Sequence, residues 1–248
     1  MAATKLTIIK GKTFSRVIRW AAAPYIYKAI TAITQAAPVS ITSATHGLVS
    51  GWRAAVVSAK GMTQINALSS PPDATEFYKA TVVDPNTVTL NDVNAAGYSA
   101  YTSGGYLQYL TPVDMTGYTA RMSINDRVGG TELIRLSTAN GRITVDNTNK
   151  TITLNIEVAA TAALTWTKGY YDLEMIGVAI SAGAFVVGHT YTIVALGSTD
   201  FTLIGATANT VGLAFTATGA GTGTGTVEGV VDLILYGTVV VSDEVTTT

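Results

Sequence analysis

The chain has 248 residues, of which 48% are hydrophobic and 12% are charged, so it can bury a large core and is not intrinsically disordered. Fifteen Lys and Arg against sixteen Asp and Glu give a net charge of -1. A basic excess that would neutralise phosphates is missing, so we expect no nucleic-acid partner. The sequence has no cysteine, which excludes disulfide scaffolds, zinc–cysteine sites and thiol nucleophiles.

The N-terminal segment MAATKLTIIKGKTF has no apolar run of signal-peptide length, because Lys5, Lys10 and Lys12 interrupt it. No other stretch approaches the roughly 20 apolar residues of a membrane-spanning helix. We therefore expect no export signal and no membrane partner.

Short segments with a two-residue period recur between turn residues, and this pattern is typical of β-strands. Residues 6–9 and 13–20 are strand candidates on either side of Gly11. In the next zone, Asp-Pro-Asn at residues 84–86 separates ATVV from TVTL. Proline presets φ and Asp or Asn bonds the local backbone, so this segment predicts a hairpin turn.

The densest strand pattern lies in residues 113–175, where residues 146–149 predict a second hairpin turn of four residues or more. Residues 158–164 form the one candidate for a short helix. A Gly/Thr/Ala-rich segment follows at residues 178–229, with TYTIVAL, FTLIG and LAFTAT as its strand candidates.

Four segments occur in a recognisable order: the strand that holds Trp20, VDMTGYTARMSIN after Pro112, YYDLEMI, and LYGTVVVSDEVT. This order resembles the immunoglobulin-like N-terminal domain of phage upper baseplate proteins (the BppU family) and related tail, neck and fibre-anchoring proteins. Two segments are spliced between these motifs. The first, with HGLVSG, is similar to a small β-barrel module of phage tail proteins, and the second is similar to a module common in phage virion proteins.

The resemblance and the two-residue period together predict an all-β fold with an immunoglobulin-like β-sandwich core. We expect this core to consist of residues 1–34, 110–177 and 230–248. Two small inserted modules would interrupt it, a β-barrel at residues 35–109 and a Gly/Thr-rich β domain at residues 178–229.

The resemblance also implies a function. It predicts a structural virion protein of a tailed bacteriophage, assembled in the host cytoplasm as a multi-copy adaptor in the tail, baseplate or neck (collar). Its expected partners are further copies of itself, other virion proteins and tail fibres. A capsid decoration protein and a host-glycan-binding module of the tail are the alternatives.

The potential catalytic and metal-binding residues do not form a known motif, so we predict no enzyme, no cofactor and no metal site. His46 and His189 sit in or beside turns without a metal-ligand or triad spacing, so we interpret both as structural. The glycine-rich run at residues 219–226 lacks G-K-[ST] and a following helix, so we expect a surface loop and not a phosphate site.

Five acidic residues are candidates for catalytic or calcium-binding groups. Asp172 and Glu174 should share one strand face about 7 Å apart, and we interpret them as solvent-facing acids. Asp84, Asp92 and Asp200 fall in turns without a calcium-loop pattern.

Two surfaces remain as candidate sites. Trp52, Tyr98, Tyr101 and Tyr106 could form a surface aromatic platform for an interface or for sugar stacking, because tyrosine favours sites that are apolar on one side and wet on the other.

The terminal strand is the candidate subunit interface, through Val239, Val241 and Val245. A terminal β segment can pair across an exposed sheet edge without disturbing its own core.

Overall fold

The computed structural model describes residues 3–243, and within them the fold is all-β, as the two-residue period predicted. The strands are β1 Thr4–Ile9, β2 Phe14–Ile18, β3 Ala21–Ala29, β4 Ala32–Ile33, β5 Val39–Thr42, β6 Arg53–Val57, β7 Tyr78–Asp84, β8 Thr87–Leu90, β9 Tyr106–Pro112, β10 Thr119–Asn125, β11 Glu132–Ser137, β12 Ile143–Asp146, β13 Thr151–Ile156, β14 Lys168–Ile176, β15 Ile180–Ser181, β16 Thr190–Ala195, β17 Ala214–Thr216, β18 Thr226–Val227 and β19 Val231–Ser242. The helical segments are α1 Val158–Ala162 and the 3-10 turns Thr63–Ile65, Ala74–Glu76 and Phe201–Ile204. None of these described helices is long and apolar enough to cross a membrane.

The chain divides into two compact units. The second unit consists of Arg19–Asp114 and Asn147–Thr151, and the first contains the remaining residues. The division differs from the predicted boundaries at residues 34 and 109, because β3 pairs with β9 from Ala21 opposite Pro112 to Ala29 opposite Tyr106. An alternating pattern identifies a strand but not its partner, so the sequence assigned β3 to the wrong unit.

The first unit is built around a sandwich of two sheets, with strand orders β1-β19-β14-β10-β11 and β12-β13-β2. Every second residue of β10 and β13 is buried, which gives each sheet one apolar face. The predicted hairpin between β12 and β13 is present, with a four-residue connection, Asn147 to Lys150. Tyr171 of β14 lies in this core, where burial raises the pKa of its hydroxyl to about 12.

Residues 178–229 carry a separate four-stranded sheet, ordered β15-β18-β16-β17, around their own aromatic cluster. Phe201 packs at the centre, with its ring centroid 5.6 Å from that of Phe215 and 6.0 Å from that of Phe185. The module is inserted between the paired strands β14 and β19. At its two ends, the backbone N–H of Gly177 donates to the carbonyl of Val230 at 2.8 Å. Chain entry and exit are therefore adjacent.

One strand predicted in this module is a 3-10 turn. FTLIG corresponds to Phe201–Ile204, where the carboxylate of Asp200 accepts the N–H of Thr202 at 3.0 Å. Gly205 ends the turn with a φ of 109°, a conformation that favours glycine. Capping at both ends therefore overrides the β-propensity of the segment.

The second unit is a seven-stranded sheet ordered β3-β9-β6-β7-β8-β5-β4. The predicted turn at residues 84–86 joins β7 to β8 as a hairpin. The strand order is open, with β3 at one end and β4 at the other, so the pairing does not confirm the small β-barrel predicted for residues 35–109. Its core includes Val39, Ile41, Trp52, Leu107 and Tyr109.

Candidate functional site

His46 is a structural residue of the second unit. Its side chain is 1% exposed, and Nδ1 accepts the backbone N–H of Leu48 at 3.0 Å. Because Nδ1 is an acceptor, the ring proton resides on Nε2, which donates to the carbonyl of Asp84 at 2.9 Å. Both ring nitrogens are thus engaged in joining two turns, and neither is available for chemistry.

His189 and the glycine-rich run lie in the Gly/Thr-rich module. His189 is exposed, and its ring lies 6.2 Å from that of Tyr191. In the run, Gly221 and Gly223 have positive φ, and an added Cβ would approach the ring of Phe185 or the backbone of Ser198 at 2.9–3.0 Å. These glycines therefore permit close packing, and the element that follows them is strand β18.

The acids Asp172 and Glu174 share the outer face of β14, where Arg121 pairs with Glu174. Arg121 Nε contacts Glu174 at 2.6 Å, and Nη1 contacts Glu228 at 2.7 Å. Burial opposes the charge of Arg121, but the two carboxylates outweigh it and raise its pKa. Asp172 is outside these ion pairs, and burial, followed by repulsion from Glu174, raises its pKa.

The turn acids stabilise their own turns. Asp84 accepts the N–H of Asn86 at 2.7 Å, and this bond is the main reason that its pKa is lowered. Asp200 accepts hydrogen bonds from Thr202 and Asn209, which lower its pKa. Asp92 is exposed. Within residues 3–243, no group of three or more His, Cys, Asp or Glu could hold a metal ion.

The terminal strand does not offer the contact predicted from the sequence. Val239 and Val241 are 0% and 4% exposed and face the sandwich core. Residues 237–242 of β19 pair with β1 and residues 231–240 pair with β14, so around Val239 both edges of the strand are used. Val245 lies outside the described residues.

The outer face of β19 carries different apolar residues. Val231 and Leu233 are 38% and 43% exposed, and Val230, just before the strand, is 65% exposed. Leu233 pairs with Glu174, which pairs with Arg121, so the three form one row across β19, β14 and β10. We call Val230, Val231 and Leu233 the outer apolar strip.

The predicted aromatic platform does not form. Trp52 is 3% exposed and donates its indole N–H to the carbonyl of Leu110 at 3.2 Å. Tyr98 and Tyr101 pack partly buried against the core, and the Tyr101 hydroxyl bonds the carbonyls of Ile30 and Gly104. Only Tyr106 of the four is exposed, at 46%.

Tyr106 instead pairs with Tyr27, which was not among the predicted site residues. The two rings meet edge to face, with centroids 6.2 Å apart and planes at 88°. They line a cleft of about 600 Å³, together with residues 67–72, Val57, Ser58 and Gln108. We call this the Tyr27–Tyr106 cleft. Tyr27 and Tyr106 are distant in sequence, so only the register of β3 against β9 brings them together, and the sequence alone does not give that register.

Glu76 holds the segment 67–72 that forms one wall of the cleft. Its carboxylate accepts the backbone N–H groups of Leu68 at 2.5 Å, Ser69 at 3.3 Å and Asp73 at 2.7 Å. The hydrogen bonds from Asp73 and Leu68 lower the pKa of Glu76. The wall is therefore fixed by an ionised side chain.

A scan against models of known protein families finds no match to this chain, and a search of curated proteins finds no similar sequence. The resemblance to phage baseplate proteins therefore rests on the four motifs and their order.

Proposed function

We propose that this chain is a non-enzymatic structural protein of a tailed-phage virion, acting as a multi-copy adaptor in the tail, baseplate or neck. The order of the four motifs supports the phage assignment. In this role the sandwich docks to the particle, and the remaining modules support fibres or neighbouring subunits.

The engagement of polar side chains supports a non-enzymatic role. The two ring nitrogens of His46 bond backbone groups, and Glu174 is paired with Arg121. A catalytic base needs a free lone pair near a reacting group, and these side chains use theirs to hold turns and sheets. The hydrogen bonds of His46 and the ion pair of Glu174 therefore stabilise the fold.

The outer apolar strip is the observation that carries the assembly role. Protein interfaces have an apolar centre with charged groups at the rim, and here Leu233 lies in a row with the Arg121–Glu174 ion pair. The occupant we assign is a second copy of this chain. A net charge of -1 imposes little long-range repulsion between identical copies, so a symmetric ring costs little electrostatically.

The experiment compares Leu233→Lys with Val128→Lys. Val128 is 86% exposed in the turn between β10 and β11, so its substitution is a matched control for a new surface charge. We expect light scattering to show an oligomer for the wild type and the control, and a smaller mass for Leu233→Lys. Incorporation into particles should fall in parallel.

Normal assembly and incorporation of a folded Leu233→Lys variant would refute the strip as a contact. Hydrolysis of a glycan or peptide by the purified wild-type chain, abolished by substitution of His46 or His189, would refute the non-enzymatic role.

A further inference from the structure

Gln108 is a buried polar side chain on the face of β9 that points away from the core of the second unit. Leu107 and Tyr109 on either side point into the core of the second unit, so Gln108 points to the opposite face with Tyr106. It is nevertheless 2% exposed, and it lines the Tyr27–Tyr106 cleft. A glutamine on an outward face is ordinarily solvated, so its burial here requires an explanation.

The amide nitrogen of Gln108 has no hydrogen-bond partner among the described residues. A buried, unsatisfied donor destabilises a fold, and most buried polar atoms in proteins are paired. The nitrogen is enclosed in the present orientation, so its N–H groups reach the cleft when the terminal amide turns over about its soft torsion and exchanges the positions of its oxygen and nitrogen. In that orientation Gln108 offers the cleft a donor that an incoming acceptor would satisfy, and the enclosed nitrogen gains the partner it lacks.

The composition of the cleft selects the chemistry of that acceptor. No charged side chain is among its lining residues, so the cleft offers no ion-pair partner, which favours an uncharged ligand. Ser58, Ser69 and Ser70 contribute hydroxyl groups, and Ser69 donates to Asp73 at 2.9 Å, which leaves its oxygen able to accept. Such a set of neutral donors and acceptors matches a ligand rich in hydroxyl groups.

The aromatic residues supply the apolar half of the site. Tyr27 and Tyr106 meet at 88° and form a corner, and they are 53% and 46% exposed, so aromatic surface is available for stacking with an apolar ligand face. Strand β9 pairs with β3 and β6, so an extended peptide cannot be added to it as another strand. The binding mode that we assign is stacking against Tyr106 with hydrogen bonds to Gln108.

We propose that the Tyr27–Tyr106 cleft is a binding site for an uncharged saccharide. The apolar face of a pyranose ring stacks on tyrosine, and a ring hydroxyl accepts the N–H of Gln108. A cleft of about 600 Å³ lies within the usual range for small-ligand sites. This site goes beyond the structural role and does not depend on it.

The test uses the full chain and saturation-transfer NMR. The probes are neutral di- and trisaccharides of glucose, galactose and N-acetylglucosamine, with a sialylated trisaccharide and a proline-rich decapeptide for comparison. We expect at least one neutral probe to bind, with an affinity reduced at least tenfold by Gln108→Leu and by Tyr106→Ala. Val83→Ser is the control, because Val83 is 62% exposed on β7 and does not line the cleft.

Gln108→Leu has a signature that separates ligand binding from a structural role. Removing an unsatisfied donor should leave Tm unchanged or raise it, whereas loss of a structural hydrogen bond would lower Tm. Should this variant fail to fold, Leu68→Ser replaces it, since Leu68 lines the cleft and is 95% exposed. Binding of none of the neutral sugars, binding only of the charged sugar or the peptide, or equal binding by all variants would overturn the proposal.

Discussion

Phe201→Ala should unfold the Gly/Thr-rich module while the sandwich of the first unit stays folded. Phe201 is fully buried and contacts Phe185 and Phe215 at the centre of the module's own aromatic cluster. The module joins the sandwich through adjacent entry and exit segments at Gly177 and Val230. Its stability should therefore be largely local.

The expected loss in free energy of unfolding follows from the burial of Phe201 and the size of the module. Truncation of a fully buried phenylalanine to alanine costs about 3–5 kcal/mol, including the lost aromatic contacts and the cavity. Folded proteins hold about 0.05–0.15 kcal/mol per residue, which gives about 3–8 kcal/mol for the roughly 50 residues of this module. The substitution therefore removes a large part of the stability of the module.

Hydrogen exchange followed by mass spectrometry resolves the two regions. Peptides from β16 and β17 should lose protection in Phe201→Ala, whereas peptides from β10 and β14 should keep theirs. Leu203→Ala is the control, because Leu203 lies in the same 3-10 turn and is 79% exposed. Equal loss of protection in β10 and β14 would refute the reasoning, since the module and sandwich would then unfold as one.

Three further changes test other contacts. Glu76→Gln should increase proteolysis within residues 67–72. Because the folded-state pKa of Glu76 is lowered, the stability that its carboxylate adds in the wild type should be complete above about pH 4.5, and it should be lost as the pH falls through the lowered pKa. Arg121→Met breaks both ion pairs of a partly exposed side chain, so it should lower the free energy of unfolding by about 1 kcal/mol in denaturant melts. Hydrogen exchange near Glu228 should increase, and no change there would contradict the assigned contact. Val239→Lys buries an unpaired charge in the core and should abolish cooperative melting of the first unit, whereas a soluble, folded variant would restore Val239 as an interface candidate.

Local patterns in the sequence predict the strands well. The alternation in TARMSIN appears directly as the alternating burial of β10, and the Asp-Pro-Asn turn forms the β7–β8 hairpin. Two features escaped because they depend on partners or caps. Pairing places β3 in the second unit, and capping by Asp200 and Gly205 changes FTLIG from a strand to a 3-10 turn.

The candidate sites were harder to predict, because an aromatic or apolar residue type does not say which way its side chain points. Trp52 was selected for a surface and is buried, whereas Tyr27 was not selected and is 53% exposed. On β19 the sequence selected Val239, which faces the core, whereas Leu233 faces outward and was not selected. Strand register, which depends on long-range pairing, decides both cases.

A cryo-EM reconstruction of the phage particle tests the assembly role most directly. The proposed function predicts several symmetry-related copies of this chain in the tail, baseplate or neck, with the outer apolar strip buried against a neighbouring copy. A particle without this chain, or one in which every copy leaves Leu233 exposed to solvent, would contradict it.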